Sequence, residues 1–215
     1  MTSVAGAAAQ IESGLPVAVP TDTVYGLAAD PRRADAVERL FELKGRPDEL
    51  ALPVLVAGAG AALELAEPGP ARDQLQLLAG RFWPGPLTLV VPLATGAGLV
   101  LGGDGRTVGL RCPGHPLLRQ LLEVTGPLAV TSANRHGEPP CTSAAQVRNV
   151  FGASLAAVLD GGTCEGAPSS VVSLLAAEPT VLRRGPVDLA ELLEALADRP
   201  ARRARTASGR RPARG

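Results

Sequence analysis

Pro20-Thr21-Asp22-Thr23-Val24-Tyr25-Gly26-Leu27 directly follows the valine-rich run Val17–Val19. A short apolar run bounded by prolines reads as a buried strand, and the polar segment after it reads as the loop at the strand's end. Such loops are where ligands bind in α/β sheets, and this one gathers the hydroxyls of Thr21, Thr23 and Tyr25 and the carboxylate of Asp22 within five residues. The same residues also suit a plain polar turn whose threonine and aspartate side chains cap the backbone. Both readings stay open at this point.

Outward from this loop, short apolar runs alternate with helical patterns. Strands are expected at Val17–Val19, Pro53–Ala57, Leu87–Leu93, Thr107–Arg111, Leu128–Thr131, Ala157–Leu159, Ser170–Leu174 and Val181–Arg183. Helices are expected at Ala34–Lys44, Ala71–Phe82, Pro116–Thr125, Ala144–Phe151 and Leu189–Ala197. Ser143 and Asp188 suit N-caps, and Gly126 and Gly152 follow helix ends. Gly/Pro punctuation between the later strands predicts hairpins, so the sheet should not be purely parallel. The expected fold class is α/β: a single domain with a large twisted mixed β-sheet flanked by helices. No repeat and no Ser/Gly linker divides residues 1–198, which should form one catalytic-size domain.

With 46% hydrophobic and 20% charged residues in 215, the chain has a globular composition and needs no disulfide or structural metal to build a core. Cys112, Cys141 and Cys164 are far apart and form no C-x-x-C pair, which argues against a disulfide framework and a zinc knuckle and points to a reducing cytoplasm. No basic residue precedes Arg32, so no secretory signal is expected. The longest uncharged window, Phe82–Gly103, is broken by three prolines and five glycines, so no membrane segment is expected either. The formal net charge of zero hides an asymmetry: residues 199–215 hold seven arginines and no acid, leaving residues 1–198 with 14 basic and 21 acidic side chains, net −7. The Arg-rich tail reads as a disordered arm, either a solvated extension or a weak contact for tRNA or another polyanion.

Four further segments carry polar chemistry. Val37, Leu40, Phe41 and Lys44 lie at i, i+3, i+4 and i+7, so the only lysine of the chain emerges from the core-facing stripe of its helix, with Arg46 two residues on. A lysine point charge beside an arginine fork suits a triphosphate; a lysine favourably placed at a helix C-terminus is the plain alternative. In Thr107-Val108-Gly109-Leu110-Arg111 strand alternation puts Thr107, Gly109 and Arg111 on one face, where the arginine can grip a small carboxylate or stand exposed on an edge. Thr131-Ser132-Ala133-Asn134 ends an apolar strand in two hydroxyls and an amide, either phosphate-binding groups or a turn. Asp160-Gly161-Gly162, Ser169-Ser170 and Arg183-Arg184-Gly185 allow close ligand approach or simple hairpins. No Walker A and no G-x-G-x-x-G pattern occurs, so a nucleotide site would be of another design.

Taken in order, PTDTVYGL at 20–27, KGRP at 44–47, FWPGPLTLV at 82–90, TVGLRCP at 107–113, TSAN at 131–134, LDGG at 159–162, SSVV at 169–172 and LRRG at 182–185 resemble the threonylcarbamoyl-AMP synthase (YrdC-like) family. The resemblance implies a nucleotidyltransferase that condenses L-threonine, bicarbonate or CO2, and ATP to L-threonylcarbamoyl-AMP and pyrophosphate. The product would feed a separate tRNA threonylcarbamoyl transferase complex. It further implies Lys44, Arg46, Ser132 and Asn134 as catalytic residues on ATP and its phosphates, with Thr107 and Arg183 also in the nucleotide site. Thr21, Tyr25, Arg111, Thr131 and Ser169 would hold L-threonine, and Mg2+ would accompany ATP without a dedicated protein ligand. Two departures stand out: the histidine that many relatives carry after K-x-R is absent from Pro53–Ala57, and Ser170 replaces a usual threonine.

Two rival readings fit less well. A carbamoyl-transfer module of hydrogenase maturation would bring zinc-finger cysteine pairs and further domains. An RNA-binding module of the same fold without catalysis would need a basic, aromatic face, whereas residues 1–198 are acidic and hold five aromatics. The length of 215 residues also leaves no expected room for the extra C-terminal domain of longer relatives.

Overall fold

The computed structural model describes residues 2–45, 51–164 and 166–198. Arg46 and the Arg-rich segment 199–215 therefore lie outside the described residues. Strands β1 (Val17–Val19) and β2 (Gly26–Ala29) form an antiparallel hairpin around the threonine-rich loop. With β3 (Val54–Leu55), β4 (Leu87–Pro92), β5 (Thr107–Arg111), β6 (Leu128–Ser132), β7 (Ala157–Val158), β8 (Ser170–Ser173) and β9 (Thr180–Arg183) they make one sheet, ordered β7-β1-β2-β6-β3-β5-β4-β8-β9. The pairs β1–β7, β3–β5 and β4–β8 are parallel and the rest antiparallel, so the sheet is mixed as expected.

Alternation along the strands divides the core in two. Ala18 packs with helices α2 (Ala34–Lys44), α3 (Ala59–Leu65), α4 (Pro70–Phe82), α6 (Ala144–Phe151) and α7 (Leu189–Ala197) on one face. Its neighbours Val17 and Val19 pack with α1 (Val4–Glu12) and α5 (Pro116–Thr125) on the other. Five helices thus cover the first face, while two cover the second, gathered toward its β7-β1-β2-β6 end. The second face of β3, β5, β4 and β8 is left open to form a cavity.

Local signals set the helix ends. Ser143 accepts a hydrogen bond from the Gln146 N–H, and Asp188 and Glu191 form a reciprocal capping box. Gly45 ends α2 in the left-handed region at φ 62°, where a β-carbon would be strained, and so turns the chain just beyond Lys44. Three of the labelled elements, α1, α3 and β2, were not expected from the sequence, nor was the short 3-10 turn Gly152–Ser154. The expected strand at 53–57 shortens to Val54–Leu55, and the Val56 N–H instead donates to the Arg111 carbonyl. Among the described residues no helix is long and apolar enough to cross a membrane.

Candidate active site

A cavity of about 380 Å³ lies over the open sheet face. Alternate residues of neighbouring strands form its floor: Ser132 and Val130 from β6, Leu55 from β3, Gly109 and Arg111 from β5, Thr88 and Val90 from β4, and Val171 from β8. Thr21, Thr23, Val24 and Tyr25 wall it from the β1–β2 loop, and Ser169 and Arg183 from the far end. The cavity thereby collects Thr21, Tyr25, Thr107, Arg111, Thr131, Ser132, Ser169 and Arg183, eight of the residues singled out from sequence. It is a sheet face walled by a loop, not the strand-end loop alone that the sequence suggested.

The β1–β2 loop is stapled by its own hydroxyls. Thr21 Oγ1 accepts from the N–H groups of Thr23 (2.9 Å) and Val24 (3.1 Å), and the hydroxyls of Thr21 and Thr23 share a bond of 2.8 Å. The polar-turn reading of this loop is therefore correct in its mechanics, and the turn also lines the cavity. The Tyr25 hydroxyl is committed away from the cavity: it donates to the Gly162 carbonyl at 2.8 Å and accepts from the Gly161 N–H at 3.1 Å. Burial pushes the Tyr25 phenol up, which keeps it a donor. It anchors the LDGG turn, so its hydroxyl is spent on Gly161 and Gly162 although the residue borders the cavity.

Arg111 is buried in an interior strand, so the exposed-edge alternative does not hold. Its Nε donates to the Gly85 carbonyl at 3.0 Å, Nη1 to Thr23 Oγ1 at 3.2 Å, and Nη2 to Asp22 Oδ1 at 2.6 Å. Gly85 belongs to the FWPGPLTLV segment, which explains part of that motif. Across the cavity Arg183 donates through Nε to the Ser169 carbonyl (3.0 Å) and through Nη2 to Ser169 Oγ (2.9 Å), and Ser169 Oγ meets Thr88 Oγ1 at 2.9 Å. Burial lowers both guanidinium groups from their ordinary values; Asp22 raises Arg111 again and Arg183 lowers it further. Two partly desolvated cations share one cavity, and among the described residues lining it there is no carboxylate. The field inside favours an anion.

Lys44 crosses from α2 to the end of β6, as its place on the core-facing stripe predicts. Its Nζ donates to the Ser132 carbonyl (2.8 Å), to Ser132 Oγ (3.0 Å) and to Asn134 Oδ1. Because Ser132 Oγ accepts from an ammonium, its own proton is free to point elsewhere, and Ser132 borders the cavity. Asn134 spends its amide on the carbonyls of Arg135 (2.9 Å) and Glu138 (2.7 Å). Lys44 and Asn134 thus stand behind Ser132 and reach the cavity edge through it. Arg46 lies outside the described residues.

The segment from which the family histidine is absent offers Ala51, Pro53 and Leu55 to the cavity, an apolar wall. Ser170 is fully buried and exchanges hydrogen bonds with Val187 (2.6 and 3.0 Å), joining β8 to the approach of α7. Sequence reading gave no role to Thr88, and named Asp22 and Thr23 only as members of the polar loop, with no partner. Their hydroxyls and carboxylate were visible, but their partners lie up to 89 residues away. All three cysteines are buried and unpaired, and burial raises each thiol. No group of three or more His, Cys, Asp or Glu side chains among the described residues is placed to hold a metal. The donor set at the cavity, hydroxyl oxygens without a carboxylate, fits a Mg2+ ion that arrives on phosphates and does not fit one held by protein alone.

The sequence matches the family described as Telomere recombination (Sua5/YciO/YrdC) over residues 9–185. It is 40% identical over 188 residues to the threonylcarbamoyl-AMP synthase of Pyrococcus abyssi (strain GE5 / Orsay), covering 86% of this chain and 55% of that protein. It is also 40% identical over 185 residues to the threonylcarbamoyl-AMP synthase of Bacillus subtilis (strain 168), covering 85% of this chain and 53% of the other. The fold superposes on the crystal structure of P. abyssi Sua5 complexed with L-threonine with a TM-score of 0.82 at 37% identity, over 90% of this chain and 57% of that one. The chain spans about half the length of these relatives.

Proposed function

Because the chain belongs to the Sua5/YciO/YrdC family, we propose that it is an L-threonylcarbamoyladenylate synthase, a nucleotidyltransferase acting on L-threonine, bicarbonate or CO2, and ATP. The observation that carries the reading is the pair of desolvated guanidinium groups, Arg111 and Arg183, facing one hydroxyl-lined cavity with the Lys44–Ser132 pair at its other edge. A relative at 37% identity whose structure is that of a complex with L-threonine supports the same assignment.

In this reading the neutral amine of L-threonine attacks CO2, giving the carbamate and releasing one proton. A carbamate oxygen then attacks the α-phosphorus of ATP, and pyrophosphate leaves. No protein nucleophile enters either step, which suits a site of threonine, serine, asparagine, lysine and arginine. What the chain contributes is placement and charge. Arg111 takes the substrate carboxylate, with the hydroxyls of Thr131 and Ser169 around it, while the Thr21 hydroxyl, which donates to the Val24 carbonyl at 2.7 Å, holds the loop beside it. Arg183 and Thr107 face the nucleotide. Ser132, polarised by Lys44, donates to a phosphate oxygen, and Arg46, the second basic residue of the K-x-R motif, would serve the same phosphates. Mg2+, when bound with ATP, would neutralise phosphate charge, carried by the phosphates themselves without a dedicated protein ligand.

The product would pass to a separate tRNA threonylcarbamoyl transferase complex in the cytoplasm. RNA binding without catalysis is the weaker reading, because nothing in it requires a buried cavity with two guanidinium groups. Pyrophosphate release from ATP tests the assignment. It should appear only when L-threonine and bicarbonate are both present, and release that ignores either one would overturn it.

A further inference from the structure

Asp22 has no part in the mechanism above, yet it makes the shortest ion pair among the described residues. Its Oδ1 lies 2.6 Å from Arg111 Nη2, with the two side chains 21% and 7% exposed. The other two bonds of the guanidinium go to neutral acceptors, the Gly85 carbonyl and Thr23 Oγ1. A guanidinium has five N–H donors, so these three bonds leave two for a ligand. Arg183 lines the same cavity and adds positive charge near Arg111, and Asp22 is the only acid that pairs with Arg111 among the described residues.

The carboxylate is itself confined. The Thr21 hydroxyl fixes the turn on the C-terminal side of Asp22 by holding the N–H groups of Thr23 and Val24. On the far side, a β-carbon built on Gly114 would lie 3.3 Å from Asp22 Cβ and 3.4 Å from Oδ2. Asp22 does not line the cavity, so it acts through its neighbour.

We propose that Asp22 is the positioning residue of the amino-acid subsite, pinning Arg111 so that its two remaining N–H groups present a fixed fork to the substrate carboxylate. This rests on the synthase reading. It makes the β1–β2 loop a device for aligning an arginine contributed by β5, and gives the acid of PTDTVYGL a task that its threonines cannot perform.

The test is L-threonine affinity by calorimetry, with steady-state kinetics alongside. Asp22→Asn keeps the volume and removes the charge. It should weaken L-threonine about tenfold, the scale of one charge-assisted hydrogen bond, while KM for ATP and kcat at saturating threonine stay within about twofold. In an Arg111→Ala background the same change should alter threonine affinity by less than about twofold, because the group it positions is gone. Should Asp22→Asn not fold, Gly114→Ala presses on the same carboxylate from outside the cavity and should weaken threonine in the same direction, by about threefold. Wild-type threonine affinity in the folded variant, or an equal loss in the Arg111→Ala background, would overturn the proposal. Wild-type protein that binds no L-threonine would instead sink the synthase reading, a distinct outcome.

Discussion

Lys44 is 5% exposed, and its ammonium ties the end of α2 to Ser132 and Asn134. Removing it deprives a phosphate site of charge and also strands buried acceptors. Lys44→Ala should therefore lose most pyrophosphate release and also cost about 1–3 kcal/mol of stability, a larger structural penalty than its position at a helix end suggests from sequence. Kinetics paired with thermal unfolding would check both. Tyr25→Phe tests the opposite division of labour: losing the bonds to Gly161 and Gly162 should cost about 1–2 kcal/mol while KM for threonine changes little. A KM rise with unchanged stability would return Tyr25 to the substrate. At this scale the sequence was legible wherever one element's own period decided the outcome. The i, i+3, i+4, i+7 stripe aimed Lys44 inward, and strand alternation put Arg111 on the face of Thr107 and Gly109. It was silent on pairings such as Asp22 with Arg111, which periodicity cannot reach because they join separate elements.

The elements missed from sequence share a cause. Strand β2 reads Gly-Leu-Ala-Ala, with no β-branched residue, and is a strand because β1 and β6 pair with it on either side. Helix α1 is alanine-rich and uncharged until Glu12, so it shows little amphipathic contrast, and α3 is a seven-residue helix following Gly58. Periodic stripes made the other helices readable, with the caps Ser143 and Asp188 marking the starts of α6 and α7. At Gly26 in β2, a β-carbon would sit 2.6 Å from Val130 Cγ1 and 3.3 Å from the Thr131 carbonyl. Gly26→Ala should accordingly cost about 1–3 kcal/mol through overpacking and shift the cavity wall that Val130 and Thr131 provide. Denaturant unfolding would measure the first effect, and a raised threonine KM the second.

Across the whole molecule, the described cavity-lining residues run from Thr21 to Arg183, and α7, the last described helix, packs on the opposite sheet face. Deleting residues 199–215 should thus leave pyrophosphate release nearly unchanged, and any difference should appear in tRNA retention at low salt. A several-fold fall in release would show that the tail contributes to the site. Sheet order has a further consequence. Strand β6, at residues 128–132, sits between β2, at 26–29, and β3, at 54–55. A ribosome delivers the N-terminal hairpin and β3 long before the strand that joins them. Until then β2 and β3 lack the strand that both of them pair with, and the cavity spanning their junction cannot form. Strand β6 closes that gap, and the lining that Ser169, Val171 and Arg183 supply comes later still along the chain, so substrates have no complete site to grip until nearly all of the described fold has been made.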